Sequence, residues 1–228
     1  MATTAGTDFP GFSHAALQFL VDLAANNERS WFQPRRADYE RLLKEPLEAL
    51  CTAVGERFAA LGVPLTADPR RSPFRVYRDV RFSHDKSPYK TNLAASFLWS
   101  GPAGGGVGGY FSLAPGESYV GGGMWHPEPA RLAAFRAAVV ADPVAVRALI
   151  AEPTFRRTFG EVGGDRLKRM PAGFPPDHPE AELLKLKDVT FGQALGDDEV
   201  ERTDLPDRIA ETLAAATPLL HFLATLPA

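Results

Sequence analysis

One stretch of the sequence concentrates basic side chains among tyrosines. Residues 66–91 carry seven Arg and Lys against three Asp, a net charge of +4 in a chain whose total is −3. Guanidinium groups bind phosphate or carboxylate through two parallel hydrogen bonds, and lysines add mobile positive charge. The stretch therefore predicts a binding site for a small anion, and its candidate residues are Arg75, Tyr77, Arg78, Asp79, Arg81, Asp85, Lys86, Tyr89 and Lys90.

Three hypotheses fit this charge pattern. The leading one is a site for a small ligand that bears a phosphate or carboxylate group, with hydrolytic or transferase chemistry left open. The second is a nucleic-acid or protein interaction module on the same surface, although the net charge of −3 argues against nucleic acid. The third is a structural ion-pair network without a ligand, in which Asp79 and Asp85 neutralise Arg78, Arg81 and Lys86. A concave cluster favours the first hypothesis, a flat basic stripe the second, and complete internal pairing the third.

A second group of residues could complete the site. Residues 121–123 are three consecutive glycines, which in a strand indicate close approach of a ligand or of a neighbouring helix to the backbone. Trp125 and His126 follow directly, and a histidine can act as an acid, a base or a hydrogen-bond donor. Gly122, Trp125 and His126 are candidates for a second side of the site, while a neighbouring helix over the glycines and a structural role for His126 are the favoured alternatives.

Other chemistries have little support. The five histidines are scattered without metal-ligand spacing, and the single cysteine, Cys51, lies on an apolar helical stripe. We therefore predict no metal and no cofactor. The glycines at 104, 106 and 109 match a dinucleotide-binding pattern formally, but they precede a predicted strand and not a helix, which favours a loop. Without a signal peptide or an apolar run of about 20 residues, we expect a cytoplasmic protein without membrane contact, whose oligomeric state the sequence leaves open.

Strands are expected to position the candidate site. Apolar and charged residues alternate over residues 74–82, which predicts a strand with Arg75, Tyr77, Asp79 and Arg81 on one face, followed by a loop at residues 83–90. Residues 91–99, 110–113 and 118–120 are predicted as further strands, and residues 189–191 could add an edge strand. Short connections between successive strands favour an antiparallel meander.

Helices are expected before and after these strands. Ser13 suits the N-cap of a first helix, and the apolar spacing from Leu47 to Leu61 predicts another, ended by Gly62. One last helix is predicted from about Asp204 to Leu226, with a kink at Pro218. The predicted fold class is α+β, with an antiparallel meander sheet of about four strands flanked by N-terminal and C-terminal helices. We expect a single domain over residues 1–228, with residues 1–11 as a loose N-terminal arm.

The same stretches carry a family resemblance. The sequence FRVYRDVRFSHDKSPYKT at residues 74–91, with NNERSWF, GGGMWHP and LKRMP elsewhere, resembles a large family of bacterial and fungal proteins known as a domain of unknown function. The resemblance covers almost the whole chain and implies a single domain of about this length. It implies no activity, substrate or catalytic residue. Members more often carry a lysine at the position of His84, which implies that this position is a surface contact.

Overall fold

The amino-terminal part of the chain is helical. In the computed structural model, which describes residues 9–81, 83–101 and 104–227, the Ser13 side chain accepts a hydrogen bond from the Ala16 N–H at the start of the first helix, as an N-cap does. Gly62 ends the long fourth helix in the left-handed conformation, as predicted. The elements are α1 (His14–Ala25), α2 (Arg29–Phe32), a 3-10 turn (Gln33–Arg35), α3 (Arg36–Tyr39), a π-helical turn (Glu40–Lys44) and α4 (Glu45–Leu61).

In the described residues, five strands follow and form one antiparallel sheet in the order β1-β2-β3-β4-β5. This arrangement confirms the α+β class and the meander, with five strands where about four were expected. The edge strand suggested at residues 189–191 is present as β5, and β1, a two-residue segment that pairs with the end of β2, was not predicted. The strands are β1 (Leu65–Thr66), β2 (Leu93–Trp99), β3 (Val107–Leu113), β4 (Ser118–Met124) and β5 (Val189–Leu195).

Helices return between β4 and β5 and after β5. The prediction of a single helix over residues 204–226 is wrong, because the chain forms two helices that are separated by Ala215 and Ala216. Pro218 lies in the first turn of the second helix, where its missing N–H leaves no hydrogen bond unmade. The elements are α5 (Pro129–Ala141), α6 (Pro143–Ile150), α7 (Pro153–Phe159), α8 (Ala181–Leu184), α9 (Asp197–Val200), α10 (Leu205–Ala214) and α11 (Thr217–Thr225).

Helices cover one face of the sheet. Phe97, Phe111, Val120 and Phe191 are buried on that face, and α4, α10 and α11 pack against it. Apolar area removed from water contributes about 25 cal/mol per Å², so this layer is the main source of stability. The opposite face carries no helix over β3 and β4 in the described part of the chain and is named the open face here.

Phe9, at the start of the described residues, is buried and packs on Phe12 with 5.3 Å between the ring centroids. The rest of the predicted N-terminal arm, residues 1–8, lies outside the described residues. So do Pro102 and Ala103 in the glycine-rich connection between β2 and β3. Within that connection, the glycine pattern leads into strand β3 and not into a helix.

The strand predicted for residues 74–82 is wrong. Residues 74–81 contain no sheet strand, and Phe82 lies outside the described residues. The segment begins beside β2, where the Phe74 N–H donates to the Ala94 carbonyl at 2.9 Å, and then leaves the sheet. Pro73 and Pro88 lack the N–H that a continuing ladder requires, which explains why the alternating pattern did not produce a strand.

Residues 74–90 instead fold back on themselves and are named the basic loop. The Arg78 N–H donates to the Pro88 carbonyl at 3.0 Å, and the Lys90 N–H donates to the Val76 carbonyl at 2.7 Å. Tyr77 and Tyr89 face each other in an isolated bridge. The two arms of the loop are therefore held together by backbone hydrogen bonds, beside the edge of the sheet.

Candidate functional site

A groove with a volume of about 740 Å³ lies on the open face. This volume falls in the range of small-molecule sites, which is about 300–1,000 Å³. Strands β2, β3 and β4 form its floor, and the start of the basic loop and the end of β4 form its ends. Its aromatic and polar side chains include those of Phe74, Lys90, Ser96, Tyr110, Tyr119 and Trp125.

The floor of the groove is built from glycine. Gly108 pairs with Gly123, and Gly109 pairs with Gly122, on the adjacent strands β3 and β4. All four line the groove. Gly123 has φ +124°, and a Cβ there would lie 2.1 Å from the Val189 carbonyl oxygen, so the backbone at this position requires glycine. Gly108 and Gly123 stand on the open face, where side chains would otherwise fill the groove, whereas a Cβ at Gly109 or Gly122 would point to the helix-covered face, toward Leu213 or Phe191.

Three aromatic side chains run across the open face from the basic loop to β4. The ring centroids of Phe74 and Tyr110 are 6.2 Å apart, and those of Tyr110 and Tyr119 are 6.3 Å apart. The Tyr119 hydroxyl donates to the Phe191 carbonyl at 2.9 Å. Burial, and secondarily Tyr110, raises the pKa of Tyr119 above its ordinary value, so this hydroxyl stays neutral and holds the ring in place.

Tyr119 also explains two glycines of the neighbouring sheet positions. A Cβ at Gly121 would lie 2.3 Å from the Tyr119 hydroxyl oxygen, and a Cβ at Gly192 would lie 2.0 Å from it. The close approach expected at residues 121–123 therefore includes a side chain of the sheet itself. The approach of a helix occurs on β3 instead, where a Cβ at Gly109 would lie 2.8 Å from Leu213 of α10.

Trp125 stands at the end of the groove where β4 finishes. The residue is 57% exposed, and its backbone N–H donates to the Gly106 carbonyl at 3.2 Å. The ring packs on that of His126 with 4.7 Å between centroids. His126 has φ +44°, which is uncommon for a residue with a side chain, and its N–H donates to a carboxylate oxygen of the buried Asp188 at 2.7 Å. His126 is thus a support for Trp125 and does not line the groove.

Lys90 supplies the positive charge of the groove. Its ammonium group lies 4.8 Å from the centroid of the Phe74 ring, on which it makes a cation–π contact. Burial, and secondarily the charge of Arg75, lowers the pKa of Lys90 below its ordinary value. Among the described residues, no carboxylate lies within ion-pair distance of Lys90 or Arg75. Lys90 is therefore left without an ion-pair partner at this end of the groove, whereas Arg75 lies outside the groove lining and acts by its charge on both Lys90 and Asp79.

Of the remaining basic residues of the loop, two pair with carboxylates and the third bonds a backbone carbonyl. Arg78 pairs with Asp85, whose pKa is lowered by a hydrogen bond from the Ser87 hydroxyl and then by Arg78. Arg81 pairs with Asp79 at 2.7 Å, and this bond lowers the pKa of Asp79. Lys86 donates to the Val80 carbonyl at 2.9 Å. These contacts are the pairing expected of a structural network, in an exposed setting.

Tyr77 and Tyr89 have different surroundings despite facing each other. Tyr77 is 48% exposed, whereas Tyr89 is 1% exposed and stacks on Phe32 with 4.2 Å between the ring centroids. The Asn27 side chain donates to the Tyr89 carbonyl and accepts from the Tyr89 N–H, both at 3.0 Å. Tyr89 is therefore an anchor that fixes the basic loop to the amino-terminal helices, and its position sets that of Lys90.

The structure brings together only some of the predicted site residues. Lys90, Gly122 and Trp125 line the groove, and Arg75 lies next to Lys90. The others face elsewhere: Tyr77, Arg78, Asp79, Arg81, Asp85, Lys86, Tyr89 and His126 do not line it. His84 is exposed. Sequence reasoning missed Phe74, Ser96, Tyr110 and Tyr119, although their alternation with buried neighbours along β2, β3 and β4 was a usable signal.

The described residues hold no cluster of three or more His, Cys, Asp or Glu side chains arranged to ligate a metal ion. Burial raises the pKa of the Cys51 thiol to about 12, with smaller contributions from Glu48 and Asp68. The thiol is therefore protonated and packed in the core. None of the helices in the part of the chain that the structure describes is both long and apolar enough to span a bilayer.

A comparison with known protein families shows which family the chain belongs to. A family model described as conserved hypothetical protein (DUF2461) matches residues 15–222. This chain belongs to that family. No curated protein and no solved structure matches it. The family has no assigned function, so the function must be argued from the groove and its charges.

Proposed function

We propose that the protein binds a small ligand with a phosphate or carboxylate group in the open-face groove. The carrying observation is Lys90, which lines one end of a concave groove and has no carboxylate within ion-pair distance among the described residues. Burial, and then the nearby charge of Arg75, disfavour the charged form of Lys90, and an anion beside Lys90 offsets both effects. The anionic group of the ligand lies beside Lys90, on the side of the Phe74 ring.

This proposal narrows the anion site to two of the basic residues. Arg78 and Arg81 already have carboxylate partners in Asp85 and Asp79. An incoming anion would have to compete with those carboxylates, whereas Lys90 and Arg75 offer their charge without such competition. The paired residues support the structural hypothesis for the exposed tip of the loop, where Lys86 also bonds the Val80 carbonyl. Lys90 and Arg75 support the ligand hypothesis for its base.

The shape of the site favours a small molecule over nucleic acid. A single nucleic-acid strand needs a track of positive charge along its backbone. The cations of the groove stand at one end, while its other walls are aromatic and its floor is glycine. A bound strand would leave its remaining phosphates without partners in the groove.

The test is thermal unfolding with inorganic phosphate and with a panel of organic phosphates and carboxylates. A ligand at 100 times its Kd stabilises the native state by about 2.7 kcal/mol, a rise in Tm of roughly 5–10 °C for a chain of this size. The variants Arg75→Gln and Lys90→Gln should lose most of this rise. Arg169→Gln removes the same charge from an exposed side chain outside the groove and should keep it. Equal shifts in all four proteins, or no shift with any anion, would refute the proposal.

A further inference from the structure

We infer that the body of the ligand is a planar ring system, which lies flat on the glycine floor and against the aromatic side chains of the groove. This inference rests on the proposed function for the anionic group and adds the chemical class of the remainder: an aromatic or heteroaromatic phosphate or carboxylate. Three observations carry it, namely the floor, the aromatic walls and the way in which Trp125 is held.

The floor is flat and has the dimensions of a small ring system. Adjacent strands are about 4.8 Å apart and rise about 3.3 Å per residue, so two residues on each of two strands expose a patch of roughly 5 by 7 Å. The backbone of Gly108, Gly109, Gly122 and Gly123 forms this patch. Gly108 and Gly123 place no side chain on the open face, and positions 109 and 122 face the helices. A ring can therefore contact the peptide planes directly over its whole face, which a branched aliphatic chain cannot do.

The aromatic side chains at the walls of the groove keep part of their surface exposed. Tyr110 and Tyr119 are both only partly buried, although Tyr110 already contacts Phe74 and Tyr119. Aromatic pairs in offset or edge-to-face contact gain affinity beyond the area that they bury. A ring placed against these side chains gains that contribution, and a saturated ring of the same size does not.

Trp125 is exposed because specific contacts hold it there. The left-handed backbone of His126 and the bond from its N–H to Asp188 set the end of β4, and the His126 ring supports the indole. Backbone held in this region is unfavourable for a residue with a side chain, and such positions cluster at ligand sites. An indole fixed in water at the end of a groove is a stacking surface for a planar ligand.

Four probes separate this inference from the proposed function: 2-naphthyl phosphate, its saturated counterpart decahydro-2-naphthyl phosphate, uncharged 2-naphthol, and inorganic phosphate. Binding is measured by isothermal titration calorimetry on the full chain. We expect the naphthyl phosphate to bind about tenfold or more tightly than the saturated one. The Trp125→Leu variant should remove most of that ratio while leaving the affinity for inorganic phosphate unchanged.

A groove-filling variant provides an independent readout. Ser96 lies on the open face of β2 opposite Tyr110 and lines the groove, so Ser96→Leu should abolish binding of naphthyl phosphate without loss of Tm. Ala194→Leu adds the same side chain to an exposed position of β5 outside the groove and should bind as the wild type does.

The outcomes are distinguishable. Equal affinity for the two bicyclic phosphates, with binding still dependent on Lys90, would overturn the ring inference and leave the anion proposal standing. Binding of 2-naphthol that depends on Trp125, without any response to phosphate, would support the ring and overturn the anion proposal. Binding of neither class, or naphthyl phosphate binding that survives Ser96→Leu, would overturn the placement of the ligand in the groove.

Discussion

Asn27 joins the basic loop to the amino-terminal helices, and its removal should both destabilise the protein and loosen the loop. Its side chain makes two hydrogen bonds of 3.0 Å to the backbone of Tyr89, a residue 62 positions away in the sequence. Both bonds are partly buried, and each contributes about 0.5–1.5 kcal/mol net. We therefore expect Asn27→Ala to lower the free energy of unfolding by about 1–3 kcal/mol, which is a loss of roughly 2–12 °C in Tm.

The adjacent residue supplies a matched control. The Asn26 side chain donates one exposed hydrogen bond of 2.9 Å to the Asp22 carbonyl at the end of α1. Asn26→Ala therefore removes the same side chain one position away, without touching the basic loop. We expect it to change the free energy of unfolding by less than about 0.5 kcal/mol, as exposed substitutions usually do.

Urea unfolding followed by circular dichroism compares the two variants with the wild type. A second measurement, hydrogen exchange at the Tyr89 and Lys90 amides, tests the local effect. Asn27→Ala should raise the exchange rate at these amides more than it raises the rate in the core of β3. Equal midpoints for the two variants, or exchange that rises uniformly over the chain, would refute the view that Asn27 holds the loop in place.

Three further predictions concern charge. The pKa of Lys90 is lowered in the free protein, so the affinity for an anion should be full below that pKa and should fall as the pH rises through it. The Lys90→Arg variant should keep its affinity at alkaline pH. Calorimetry over a pH series measures the affinity of both proteins. Burial, with smaller effects of neighbouring groups, raises the pKa of Tyr39 from 10.0 to about 12, so about 2–3 kcal/mol of stability should be lost between pH 10 and pH 12, and Tyr39→Phe should lose less in the same urea melts. Asp79 and Arg81 form an exposed pair, so Asp79→Asn should leave the urea midpoint unchanged at pH 7; a large shift would mean that the pair is part of the packed structure.

The fold could be predicted because its signals are local. The N-cap at Ser13 and the left-handed glycine at Gly62 each depend on a few neighbouring residues, and both were predicted from the sequence. The short connections between β2, β3 and β4 leave an antiparallel meander as the simple arrangement. The prediction of a strand at residues 74–82 was wrong for a reason that is also visible in the sequence. Pro73 precedes the first arm of the loop and Pro88 lies within the second, and neither has the N–H that a strand ladder needs. Alternation of apolar and charged residues does not supply those N–H groups.

The candidate site could be predicted only in its parts. The spacing of Asp79 and Arg81, or of Asp85 and Ser87, allows an Asp side chain to accept from the N–H two residues later, and the structure has both bonds. Such contacts reveal which charges a loop neutralises by itself. The contact of Asn27 with Tyr89 joins distant segments, and the sequence pattern of neither segment predicts it.

The basic residues of the loop that can bind a ligand are therefore those that have no carboxylate partner within the loop. Seven basic side chains drew attention to residues 66–91, but a carboxylate two to seven residues away occupies Arg78 and Arg81. The charge that remains for a ligand is that of residues without such a neighbour, and Lys90 is one because the chain turns into β2 directly after it. There it meets Phe74 and the aromatic face of the sheet. A charge count finds the loop, and the local pairing favours the end beside the sheet as the proposed ligand-binding end.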